Sequence, residues 1–131
     1  VKLLLDSNVV LRMLMDRRRL TPRALRLLED DRNQLFFSFA SLWEVAIKVA
    51  VGKLDLPGGS AESLLPELNK LGVTLLPIDQ ASILRTQTLP HFTDHKDPFD
   101  RLLVAQALEF GLMILSSDRD LALYAAPVIW R

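Results

Sequence analysis

Six carboxylates stand where an alternating chain of strands and helices would place reactive groups. Asp6 follows an apolar run. Glu44 lies in the first turn of an expected helix, Asp97 and Asp100 open another, and Asp118 and Asp120 follow a late apolar run. Two carboxylates about 4 Å apart repel by roughly 4 kcal/mol at an effective dielectric of about 20, so gathered acids need raised pKa values or a cation. Magnesium or manganese is the natural partner, being a hard ion that prefers oxygen donors. Such a site polarises a phosphodiester, activates water and steadies the leaving oxygen, which points to metal-dependent nuclease chemistry.

Each acid also has an ordinary structural reading. Ser41-Leu42-Trp43-Glu44 has the S-x-x-E form of a capping box, Asp97 precedes a proline as an N-cap, and Asp100 is a first-turn acid facing a helix dipole. Asp6 has no such routine duty on this reading. Capping does not require acids from several junctions to gather at one sheet edge.

The elements that would bring them together are legible in the patterning. Strands are expected at Lys2 to Leu5, Leu35 to Ser38, Val73 to Leu76, Leu112 to Leu115 and Val128 to Trp130. Helices are expected after Asp6, from Thr21-Pro22, from Ser41 to Gly52, from Ser60 to Leu71, from Asp79 to about Leu89, and from Asp97-Pro98 to Gly111, with a short one between Ser116 and Leu123. Such alternation predicts an α/β fold, a three-layer α/β/α sandwich around a mostly parallel sheet, with its ligand crevice outside the carboxyl ends of the strands.

Composition bounds the rest. The 131 residues, 50% of them apolar, suit a single domain spanning 1–131. Sixteen Lys and Arg balance sixteen Asp and Glu, so any hold on a polyanion must be local. The lack of cysteine removes disulfides and thiolate metal sites and fits a reducing compartment. No apolar run approaches a membrane span and no secretory leader is visible, so a soluble cytoplasmic protein is expected. The five glycines form neither a dinucleotide fingerprint nor a Walker loop.

Four segments carry a resemblance. Leu3-Leu4-Leu5-Asp6-Ser7-Asn8-Val9-Val10, Trp43-Glu44-Val45-Ala46-Ile47-Lys48 with Gly52-Lys53-Leu54, His95-Lys96-Asp97-Pro98-Phe99-Asp100-Arg101-Leu102-Leu103-Val104-Ala105-Gln106-Ala107, and Leu115-Ser116-Ser117-Asp118-Arg119-Asp120 occur in this order. Together they resemble the motifs of PIN domains, most closely the VapC-type toxins of bacterial toxin-antitoxin pairs. The resemblance implies a Mg2+- or Mn2+-dependent endoribonuclease with catalytic acids Asp6, Glu44, Asp100 and Asp118. Asp6, Asp100 and Asp118 would hold the metal directly or through water, and Glu44 would orient water. Ser7, Asn8 and Ser116 would support the same site. Serine at positions 7 and 116, where threonine is common in the family, keeps the hydroxyl. Asp97 and Asp120 fit a cap and a solvated neighbour better. The resemblance further implies an RNA substrate, a cognate VapB-like antitoxin lying across the acidic pocket, a homodimer, and contact with DNA only through the antitoxin.

Other features have competing explanations. Arg12, Arg17, Arg18, Arg19, Arg23 and Arg26 could rim a phosphate site, but a solvated helical face fits them better. For Lys48, an ordinary i,i+4 ion pair with Glu44 is favoured over phosphate binding. His91 and His95, with Asp94 and Asp97 nearby, lack the further ligands a stable zinc site usually recruits. Trp43, Phe99, Trp130, Phe36, Phe37 and Phe39 suit core or interface more than base stacking. Two rival functions remain. An aspartyl-phosphate enzyme would need a second Asp where Asn8 stands, and a receiver domain would want paired acids after the first strand. A PIN-like module that binds RNA or protein without turnover would be expected to have lost an acid.

Overall fold

In the computed structural model, residues 1–91, 97–118, 120, 121, 124, 128 and 129 are described. Five strands form one sheet: β1 (Lys2–Leu5), β2 (Gln34–Ser38), β3 (Val73–Leu76), β4 (Met113–Leu115) and β5 (Val128–Ile129). Their order is β3-β2-β1-β4-β5 and every pairing is parallel. The expected architecture is therefore observed, with β1 at the centre. Leu4 pairs with Phe36 on one side and Ile114 on the other.

Side chains of a strand alternate between faces, and β1 shows the result. Leu3 and Leu5 join a core with Val9, Val10 and Met13 of α1 (Ser7–Met15), Ala24 of α2 (Pro22–Glu29), Val45 of α3 (Phe39–Ala50) and Leu68 of α4 (Leu64–Lys70). Leu4 faces the opposite core, with Leu103, Val104 and Ala107 of α6 (Pro98–Phe110) and with Ile114. The last helix, α5 (Gln80–Arg85), packs on α6. Helices thus cover both faces, as an all-parallel sheet requires.

Three boundaries differ from expectation, each for a local reason. Helix α3 begins at Phe39, capped by Ser38, whose Oγ accepts the Ala40 N–H at 3.0 Å. Ser41 and Glu44 consequently lie inside the helix, and the expected capping box does not form. The helix expected from Ser60 opens as a 3-10 turn over Ala61–Ser63, and α4 starts at Leu64, which keeps Pro66 within its first turn, where a missing N–H is harmless. Helix α5 ends at Arg85 and tightens into 3-10 geometry over Thr86–Thr88, where the Thr86 and Thr88 hydroxyls donate back to the Ile83 and Arg85 carbonyls. Helix α6 matches expectation at both ends, with Asp97 as N-cap, Pro98 in the first turn and Gly111 left-handed at φ 65°. Trp130 and part of the short helix expected before Leu123 lie outside the described residues, as do Asp94, His95 and Arg119.

Candidate active site

Chain leaving the carboxyl end of β1 enters α1 through Asp6. The Asp6 N–H donates to the Leu115 carbonyl at 3.0 Å, which extends the ladder by one residue, and Oδ1 accepts the Ser7 N–H at 2.8 Å. Asp6 is therefore an N-cap, a duty its sequence position did not suggest. It is also buried, and capping alone uses one oxygen. Oδ2 accepts the Ser116 hydroxyl at 2.6 Å.

From this centre hydrogen bonds run both ways. Ser7 Oγ donates to Glu44 Oε1 at 2.7 Å, joining the β1 junction to α3. Ser116 Oγ accepts the Asp118 N–H at 3.0 Å, and Asp118 Oδ1 accepts the Asp120 N–H at 2.9 Å. Glu44, Ser7, Asp6, Ser116 and Asp118 thus form one connected series drawn from three junctions at the carboxyl edge of β1, β2 and β4. Burial is the main force pushing the Asp6 carboxyl above its ordinary range. The charges of Glu44 and Asp118 push the same way, against the Ser116 and Ser7 hydrogen bonds.

The remaining acids divide. Asp97 caps α6, its Oδ1 accepting the Phe99 and Asp100 N–H groups at 2.9 and 3.4 Å. Asp100 is buried in the first turn of α6. Trp43 and Phe99 meet edge to face at 5.2 Å, so the neighbours in sequence of Glu44 and Asp100 tie α3 to α6. Asn8 Oδ1 is buried with no hydrogen-bond partner among the described residues. Among the described residues, no three acids are arranged to enclose a metal ion. The donors are all oxygen and the buried Asp6 carboxylate faces two further negative charges, which suits a hard cation that keeps much of its water better than one needing a closed cage.

Several minor readings are also decided. Among the described residues no ion pair joins Glu44 to Lys48; Glu44 is turned to Ser7 instead, so the expected helical pair is absent. Arg17 pairs with Glu29 and Arg18 with Asp16 on the exposed face of the arginine cluster. His91 is exposed.

Two polar residues of α6 escaped notice as individuals. The Arg101 guanidinium donates to the carbonyls of Pro90, Thr86 and Leu89 at 2.7, 2.9 and 3.4 Å and lies over the Tyr124 ring. Gln106 is fully buried, accepting from Ser38 and donating to the Pro77 carbonyl. Both anchor the helix that carries Asp100. The available signal was a polar side chain on the apolar stretch Leu102 to Ala107, which has to find a partner once buried.

The sequence model of the PIN domain family matches residues 3–127. The chain belongs to the PIN domain family. Ribonuclease VapC16 of Mycobacterium tuberculosis is 36% identical to this PIN domain over 55 residues, 42% of this chain and 39% of that relative, so the match spans well under half of either. Solved structures share the fold. VapBC2 from Rickettsia felis, bound to a DNA fragment from its promoter, has a TM-score of 0.72 at 13% identity and covers 100% of both chains. FitAcB from Neisseria gonorrhoeae has a TM-score of 0.64 at 22% identity, covering 97% of this chain and 96% of that one. VapBC-1 from nontypeable Haemophilus influenzae has a TM-score of 0.62 at 16% identity, covering 94% and 91%. Among the described residues of this PIN domain, no helix is long and apolar enough to cross a membrane.

Proposed function

We propose that this PIN domain is a Mg2+- or Mn2+-dependent endoribonuclease that hydrolyses RNA phosphodiester bonds, acting in the cytoplasm as the toxin of a VapBC-type pair. The observation that carries this reading is the buried Asp6, tied through Ser116 and Ser7 to the junctions that supply Asp118 and Glu44. The name of the ribonuclease relative, and the fold shared with VapBC2 and with a toxin-antitoxin complex from Klebsiella pneumoniae, support it.

Asp6, Asp100 and Asp118 would hold the ion, directly or through water. A divalent ion, when bound, polarises the phosphodiester and offsets the charge that builds on its oxygens. Ser116 keeps Asp6 and the Asp118 backbone in fixed relation. Glu44, held by the Ser7 hydroxyl, orients the attacking water, and Asn8, Asp97 and Asp120 support the surrounding loops. An aspartyl-phosphate route is disfavoured because Asn8 stands where its second acid would be needed. A homodimer and a cognate VapB-like antitoxin that covers the acids complete the reading, with DNA reached only through the antitoxin.

The test is cleavage of a mixed RNA pool by purified protein with magnesium or manganese, and its loss in EDTA and in Asp6→Asn. Metal-stimulated cleavage that persists in contaminant-free Asp6→Asn protein overturns the assignment.

A further inference from the structure

A groove of about 390 Å3 opens between α3 and the start of α6, lined by Glu44, Ile47, Lys48, Val51, Lys53, Asp97, Pro98 and Phe99. Glu44 belongs both to this groove and to the hydrogen-bonded acids, so the groove leads directly away from them.

Its lysines are arranged by the end of α3. Gly52 adopts φ 77°, its N–H donates to the Val49 carbonyl at 3.2 Å, and the Lys53 N–H returns to the Lys48 carbonyl at 2.9 Å. This pair of bonds is the Schellman closure of a helix, and it folds Lys53 back beside Lys48. Lys48 itself follows Glu44 by one helical turn, about 5.4 Å along the axis. Both lysines are exposed, and neither is in an ion pair among the described residues. One oxygen of each groove carboxylate accepts hydrogen bonds, Asp97 Oδ1 from the backbone of α6 and Glu44 Oε1 from Ser7, and neither acid pairs with a lysine among the described residues. What remains is an apolar floor with two uncommitted cations next to the reacting centre, a match for a sugar-phosphate strand.

We propose that this groove carries the RNA strand on one side of the scissile bond, with Lys48 and Lys53 contacting its phosphates as substrate-binding residues. The inference rests on the ribonuclease reading and adds the strand's path to it. On single strands each phosphate-neutralising lysine contributes about 0.7 to the dependence of log affinity on log salt.

The experiment measures binding of a uridine oligonucleotide of about ten nucleotides against salt concentration, in an Asp6→Asn background that leaves the strand uncut. Lys48→Ala combined with Lys53→Ala should lower the slope by about 1.4, and Lys70→Ala on α4 should not change it. In protein with Asp6 intact, the double substitution should raise KM about tenfold with kcat nearly kept, and Lys48→Arg should retain the native KM. Circular-dichroism melts establish that the variants fold. An unchanged slope and KM in a wild-type protein that does cleave RNA overturn the groove assignment alone and leave the groove to a protein partner; equal loss in Lys70→Ala overturns it as well. Absence of any metal-dependent cleavage by the wild type overturns the ribonuclease reading beneath it.

Discussion

Ser116 donates its hydroxyl to Asp6 Oδ2 at 2.6 Å while accepting the Asp118 N–H at 3.0 Å, so one oxygen orders two acids that lie on different loops. Ser116 is itself buried, which removes water as a substitute partner.

Ser116→Ala should therefore destabilise the protein by about 1–3 kcal/mol, the cost of leaving buried polar groups unpaired, read from urea or thermal unfolding. Ser116→Thr should hold stability much closer to the native value. The lost bond favoured the charged form of Asp6, so the alanine variant should also shift the acidic limb of the cleavage profile to higher pH.

Asp6 gives a pH dependence with a definite sign. Its folded pKa lies above the ordinary value of 3.8, so the native state holds that proton more tightly than the unfolded chain. The contribution of Asp6 to stability consequently falls as pH rises from about 3.8 through the raised folded value, and stays low above it. Without metal, Asp6→Asn should melt higher than the native protein at neutral pH, and the gap should narrow toward acid. Adding magnesium or manganese should raise the native melting temperature and leave that of Asp6→Asn nearly unchanged.

Glu44→Gln preserves an acceptor for the Ser7 hydroxyl and removes the charge. Cleavage should fall at least about 100-fold, in line with losing a positioned acid-base group, with an unchanged melt. Ser7→Ala keeps the charge and frees Glu44 to move, and its loss should be smaller, with recovery in Ser7→Thr. Equal activities for Glu44→Gln and native protein would remove Glu44 from the chemistry.

Arg101 spreads one planar guanidinium over three carbonyls at the end of the α5 segment. An ammonium cannot reproduce that fork, so Arg101→Lys should cost about 1–2 kcal/mol in chemical denaturation despite the conserved charge.

Much of this was legible because it follows from periodicity. The alternation at Leu3, Leu4 and Leu5, the Thr21-Pro22 start and the Asp97-Pro98 to Gly111 helix are stated by local chemistry and recur in the fold. The family resemblance pointed to Asp6, Ser7, Glu44, Ser116 and Asp118, whose connection depends on strands distant in sequence. Local rules misled where two uses compete for one side chain. Glu44 fits a capping box, yet Ser38, the last residue of β2, caps α3 first and leaves the carboxylate for Ser7. Lys48 has the spacing of an ion pair, but its partner is turned away. Arg101 and Gln106 looked like ordinary helix residues because their partners, Pro90 and Pro77 among them, come from loops whose placement no helical pattern encodes.

The middle strand of this sheet is the first of its five to be synthesised, and one of its flanking neighbours, β4, is the fourth. A nascent chain that stops short of residue 116 has neither the Leu115 carbonyl that receives the Asp6 amide nor the hydroxyl that receives its carboxylate. On the ribonuclease reading, the series of acids is complete only after residue 118 has been added to the growing polypeptide.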